Sequence, residues 1–195
     1  MIYPATYNIT ILRNATWRGS FRATQNRQAL TSITIAGTTP TFNVPFHGLT
    51  ATTKVVFTGG DNIPYGLTLN TVYYVIAAGL TTGAFQVSTS SGGSTISVTG
   101  TASGDFYVAT PLDITGYTVD ADVKGLITNS LVGTFTPTIT SATEGAFELM
   151  MSPATSDAIE VGSYGWDVSL TQSGGERYYW VTGVATVQRT YSRNS

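Results

Sequence analysis

A strict two-residue alternation constrains the last third of this chain. Tyr164, Trp166, Val168 and Leu170 alternate with Gly165, Asp167, Ser169 and Thr171. Such a period puts apolar side chains on one face and polar ones on the other, as in a half-buried β-strand. Ser173, Gly174 and Gly175 follow. The two glycines are expected to supply the positive φ angles of a tight hairpin, so that Arg177–Val187 runs back antiparallel. A hairpin alone is marginal in water, so strands from elsewhere must cover its apolar face.

Composition points the same way. Threonine is plentiful, and its β-branched side chain suits a pleated surface better than a helix. Only 10% of the residues are charged, and the Leu, Lys, Glu and Ala runs of long helices are missing. The fold class is all-β. A formal charge of −2 argues against a nucleic-acid partner, which calls for a basic surplus. No run approaches 18 apolar residues, so no membrane-spanning helix is expected. Met1–Pro4 lacks the basic and apolar regions of a leader peptide. Zero cysteines remove disulfides, thiolate metal sites and cysteine nucleophiles together, which fits a protein made in a reducing cytoplasm.

Further strands fall into place along the chain. Tyr7–Leu12 alternates, and Arg13 and Asn14 break it. Thr16–Thr24 reads as a second strand, with Trp17, Phe21 and Ala23 on one side and Arg18 and Arg22 on the other. The two arginines make either a solvated sheet face or a docking face for an acidic partner. Tyr117, Val119, Ala121 and Val123 alternate with Thr118, Asp120, Asp122 and Lys124. Short strands follow at Leu131–Thr134, Thr136–Thr140 and Phe147–Met151. Ser152 and Pro153 then read as the N-cap and first residue of one helical turn.

Between Thr31 and Ala109 only Lys54, Asp61 and Asp105 are charged, a composition step that marks a domain boundary. Strands are expected at Ser32–Ile35, Thr41–Val44, Lys54–Thr58, Val72–Ala77, Phe85–Ser88 and Thr95–Thr99, separated by Gly, Pro, Asn and Ser clusters. That spacing fits a small barrel or sandwich. Residues 1–30 and 110–195 then form one discontinuous antiparallel β-sandwich, interrupted by an inserted β module at 31–109.

Four stretches carry a family resemblance: Tyr7-Asn8-Ile9-Thr10-Ile11 with Ala15-Thr16-Trp17-Arg18; Leu112-Asp113-Ile114-Thr115-Gly116-Tyr117; Gly145-Ala146-Phe147-Glu148-Leu149; and Val161-Gly162-Ser163-Tyr164-Gly165-Trp166. Together they resemble small tailed-phage virion proteins with an immunoglobulin-like sandwich, similar to the N-terminal domain of siphophage baseplate upper proteins. In that family the tryptophan strand usually runs almost directly into the Leu-Thr-Gly-Tyr-type strand, whereas here 31–109 intervenes. In the insert, His47-Gly48-Leu49, Val55-Val56-Phe57-Thr58, Leu69–Ile76 and Ala84-Phe85-Gln86-Val87 resemble a module of phage tail-fibre proteins. The resemblance implies an immunoglobulin-like fold, a location in the virion, and no catalytic residue.

The chemistry readable from the residues is sparse. His47 is the only histidine, so any Ser-His-Asp or histidine-metal site would have to use it; its place in a turn reads as structural or solvent-exposed. Asp120 and Asp122 share a strand face where a calcium ion could bind, but a solvated acidic face is the simpler reading. Gly59-Gly60 and Gly92-Gly93 are turns and not phosphate loops. Neither metal nor cofactor is expected, and the chain reads as non-enzymatic. Aromatics are the remaining clue. Tyr178, Tyr179 and Trp180 are consecutive, as are Tyr73 and Tyr74, so some must leave the core and become candidate interface anchors. Three functions are open. The first is an adaptor on the neck, tail or baseplate that attaches or extends a fibre. The second is a capsid decoration protein, and the third a module binding host-surface glycan. In the first two the partners are other virion proteins, and the chain is a homo-oligomer in the particle.

Overall fold

The structure, a computed structural model, describes residues 5–190. The leader-peptide reading of Met1–Pro4 lies outside those residues. Strands β1 (Ala5–Thr6), β2 (Ile9–Leu12) and β3 (Trp17–Arg22) come first. Next come β4 (Thr24–Ala29), β5 (Ser32–Ala36), β6 (Thr39–Asn43), β7 (Lys54–Gly59), β8 (Tyr73–Ile76), β9 (Ala84–Ser88) and β10 (Phe106–Pro111). The last group is β11 (Thr118–Lys124), β12 (Leu131–Thr134), β13 (Thr136–Ser141), β14 (Ala146–Met151), helix α1 (Pro153–Ala158), β15 (Gly162–Thr171) and β16 (Arg177–Gln188). The described residues are all-β apart from α1 and a single 3-10 turn at Ala142–Glu144. It divides into two compact units: one runs to Ala23 and resumes at Asp113, and the other is Thr24–Leu112.

The first unit is a sandwich. One sheet runs β1-β16-β15-β11-β12, with β2 also on β16; the other runs β13-β14-β3. The opening strands thus lie on the same sheet as the last strand. β1 and β2 accordingly pair parallel with β16, while the other pairings are antiparallel. The sheets meet on aromatic rings. Trp17 and Phe21 of β3 lie 6.4 and 6.1 Å from Trp166 of β15, and Phe135 lies 5.0 Å from Trp17. Ile11, Val123, Phe147, Leu149, Met151, Val168 and Leu170 complete a buried core. The hairpin β15–β16 forms as its alternation requires, with one difference in the turn. Only Gly175 takes a positive φ, of 89°, after a turn in which its N–H donates to the Gln172 carbonyl. Helix α1 starts where Ser152 caps it, its Oγ accepting from the Thr155 N–H at 3.1 Å.

The second unit is a barrel. Its sheet order is β4-β10-β7-β8-β9-β6-β5. β4 and β5 are separated only by Leu30 and Thr31, and those residues hydrogen-bond to Phe106 and Asn43. One bent segment therefore pairs β10 with its first half and β6 with its second, which closes the ring. Phe42, Phe57 and Phe85 stack in its core with centroids 4.3 to 6.3 Å apart. The composition step at Thr31 falls inside this unit because β4 is a polar strand, mostly exposed along Gln25-Asn26-Arg27. Thr95–Thr99 is not a regular strand. Ile96 donates to Val87 and Val98 to Thr38, so its backbone bonds are split between two neighbours and no ladder forms, although both side chains are buried. Thr24 pairs with Pro111, so the ends of the unit are adjacent.

Candidate docking surfaces

The two arginines proposed as a docking face differ. Arg22 is committed: its Nη1 donates to the Glu144 carbonyl at 2.7 Å and lies 3.5 Å from the Glu144 carboxylate, and the side chain is only 18% exposed. Arg18 is exposed, stands opposite Met150 of β14, and has no ion pair among the described residues. Only Arg18 therefore remains as an unpaired cation on that face.

Sheet edges matter more than the face. β13 carries Pro137, which has no N–H to donate, and its register slips between Ile139 and Ser141. β12 is four residues long and bulged against β11. The β1–β2 edge is interrupted at Tyr7 and Asn8, where the Asn8 side chain accepts from the Val184 N–H. β3 alone is unbroken: six residues from Trp17 to Arg22 pair in uninterrupted register with β14 and, among the described residues, have no strand on their other side. The Ala23 N–H donates to Gly145 in the same register. Alternation along an antiparallel ladder then turns the backbone groups of Phe21, Gly19 and Trp17 toward β14 and those of Arg18, Ser20 and Arg22 outward.

Beside this edge the sandwich is open. Tyr7 is 55% exposed, its ring edge-on to Phe21 at 6.0 Å and to Trp166 at 6.4 Å. Its backbone is fixed at both ends: its N–H donates to Thr182, and its carbonyl accepts from the Trp166 indole at 2.7 Å. That carbonyl lies directly over Gly183, where a Cβ would collide with it. Trp17 and Phe21 are only half-buried. Sequence reasoning missed Tyr7 and Ser20 because an alternating strand does not declare which of its edges stays unpaired.

The aromatic candidates separate into core and surface. Tyr73 is buried, its hydroxyl accepting from the Thr68 N–H, so it is a core residue and not an interface anchor. Tyr74 is half-buried with Lys54 Nζ 5.9 Å from its ring. The register of β15 and β16 shifts between Val168 and Ser169, which leaves Trp180 as the extra residue of a bulge. The bulge is how three consecutive aromatics are accommodated: Tyr178 lies opposite Leu170, Tyr179 opposite Ser169, and Tyr179 is the exposed one at 48%. Tyr178 donates to Glu176 at 2.6 Å, and that carboxylate holds the phenol above its ordinary pKa. The barrel's own exposed aromatics are Phe46 and Tyr65, at 89% and 86%. Tyr65 exchanges backbone hydrogen bonds with Thr99 and sits beside Ile63, on the loop after Gly59 at the end opposite Thr24 and Pro111. The Pro64-Tyr65-Gly66 turn held a signal for it, since connecting turns run over the protein surface.

The charged groups on the outer sandwich face neutralise one another. Lys124 Nζ lies 3.2 Å from Asp167 and 3.4 Å from Asp122, and Arg177 pairs with Asp120 at 3.4 Å. Burial pulls the Lys124 pKa down, but the hydrogen bond and charge of Asp167, then of Asp122, outweigh it and hold the ammonium above its ordinary value. Asp120 and Asp122 thus serve ion pairs, and no group of metal-binding side chains occurs among the described residues. His47 is buried and structural. Its Nδ1 accepts from the Leu49 N–H at 2.9 Å, which leaves Nε2 to donate toward the Ala84 carbonyl at 3.4 Å. An open groove of about 410 Å³ on the barrel, lined by Ala51, Val75, Ala77, Gln86 and Gly93 among others, contains no ionisable side chain. No protein-family model matches the sequence, and no curated protein matches it.

Proposed function

We propose that the chain is a non-enzymatic structural protein of a tailed-phage virion. It acts as an adaptor whose sandwich docks on a symmetric assembly while its barrel carries a second contact, attaching or extending a fibre. The observation that supports docking is the β3 edge, unbroken over six residues and unpaired among the described residues. Soluble proteins blunt such edges, and β-augmentation uses them. The virion setting rests on the resemblance of the four sandwich stretches and the insert motifs. Symmetry would multiply single weak contacts into avidity. The test is the copy number per particle, measured by quantitative mass analysis of purified virions against the major capsid protein. On the order of ten copies supports an adaptor on a ring; hundreds make it a shell decoration protein; none refutes the virion reading.

Tyr65 favours a second reading, in which the barrel binds host-surface glycan. An aromatic ring fixed by backbone bonds and 86% exposed is a stacking platform for a sugar face. Binding of the chain to host polysaccharide, lost on Tyr65→Ala with the fold retained, would support it. Equal binding by the variant would refute it.

A further inference from the structure

We infer that the β3 edge accepts an extended strand of a different protein, apolar on the side turned into the sandwich and acidic on the side turned to solvent. The inference rests on the reading of the sandwich as a docking unit and names what docks there.

Three features define the occupant. The outward backbone groups of Arg18, Ser20 and Arg22 offer one side of a ladder to a strand of six to eight residues, as the register of β3 on β14 dictates. Beneath that position the sandwich is incomplete, since three strands face a larger sheet and leave Trp17, Phe21 and Tyr7 partly open to water. Alternate side chains of an added strand would fall over those rings, and burying aromatic surface is where such a contact gains most. The remaining side chains would lie beside Arg18, which has no ion pair among the described residues. Charge also disfavours the obvious competitor. A second copy of β3 docked antiparallel about Ser20 would set Arg18 opposite an Arg22 already paired with its own Glu144, and β3 holds no acidic side chain to meet Arg18. Arg18 therefore selects an acidic strand over a second copy.

The test uses the full chain and two eight-residue peptides, one alternating valine with glutamate and the other valine with lysine. Binding is measured by titration calorimetry, and the site by amide hydrogen exchange. The glutamate peptide should bind roughly tenfold tighter, the effect of exchanging like for opposite charge at one or two cross-strand pairs. The amides of Arg18 and Ser20 should gain protection, and Arg18→Glu should reverse the preference. Ser20→Pro removes the central outward N–H while sparing the groups that pair with β14, so it should abolish binding of both peptides with the circular dichroism unchanged. No binding by either peptide, no charge preference, or a preference unmoved by Arg18→Glu would each overturn the inference. Virions separate this inference from the adaptor reading. If the wild-type chain and Ser20→Pro enter particles equally, the β3 edge is wrong and the adaptor reading stands. If the wild-type chain is absent from particles, the adaptor reading fails.

Discussion

Replacing Trp166 with phenylalanine tests the joint that holds Tyr7 at the open flank of the sandwich. Trp166 is 2% exposed, and its indole donates to the Tyr7 carbonyl at 2.7 Å. Gly183 allows that carbonyl to lie against β16, so no side chain there can replace the lost donor. Phenylalanine leaves the carbonyl short of a partner, which costs about 1–3 kcal/mol when water cannot reach it. Shrinking the ring system removes buried apolar surface worth about 1–2 kcal/mol more. The expected loss is about 3 kcal/mol. For a unit of roughly 100 residues that lowers the melting temperature by about 10–20 °C. Urea titration followed by circular dichroism should show the loss in the sandwich transition. The barrel transition should stay in place, because its core cluster draws only on residues of its own unit. Gly183→Ala attacks the same carbonyl from the other side, so the double variant should cost clearly less than the sum of the two. A loss below about 0.5 kcal/mol for Trp166→Phe, or strict additivity with Gly183→Ala, would refute the account.

Other perturbations follow from the same geometry. His47→Ala strips an acceptor from Leu49 and a donor from Ala84 and should destabilise the barrel by about 1–3 kcal/mol; His47→Asn should recover part of this in the same urea titration, and equal losses would argue against the hydrogen-bonding role. Lys124→Met should cost no more than about 1 kcal/mol at pH 8, since the pair network is partly solvated. Because the folded pKa lies above the ordinary 10.5, this stabilisation is complete below 10.5 and is lost as pH rises through the folded value. The gap between wild type and variant should therefore narrow above pH 10.5, and a constant gap in urea titrations would count against it. Gly175→Val forces a β-branched residue to a φ of 89° and should cost about 1–3 kcal/mol in the sandwich transition; an unchanged midpoint would show that the turn is free to rearrange.

What the sequence declared was whatever a two-residue period can carry. The β11 and β15 alternations named their apolar buried faces, because a one-residue slip would have turned Trp166 and Val123 to water; Ser169, placed on the polar face, is buried as well, its hydroxyl accepting from Arg177. The cap at Ser152 was equally local. What stayed hidden depends on pairing between distant segments. β4 looks like loop because its polarity is that of an exposed strand, and only its pairing with β10 makes it one. Arg22 looked like a surface cation until the Glu144 turn arrived beside it. Tyr73 and Tyr74 could not be ranked, since either could have faced the barrel core. The unpaired state of β3 is a property of the whole sheet and has no local signature.

The uneven spread of charge along the chain has a structural rationale in these two architectures. A closed barrel has no edge to defend, and the second unit, whose strands close on one another through β4 and β5, holds only Arg27, Lys54, Asp61 and Asp105 as charged residues. An open sandwich has four edges, and each of these is handled differently: Pro137 and a register slip on β13, shortness and a bulge on β12, an interruption at Tyr7–Asn8 on β1 and β2, and two arginines on β3. The first three devices remove or disorder the backbone groups a neighbour would bind. The fourth leaves them intact and filters by charge instead, since the unpaired Arg18 favours an acidic strand and a copy of β3 has no acid to offer it. An edge meant only to be silenced would be expected to be shortened, bulged, interrupted or fitted with a proline, as the others are. Retaining a full ladder beside half-open aromatic rings makes sense if something is to be let in, and this is why the Arg18→Glu swap of peptide preference is the more informative test than any loss of binding.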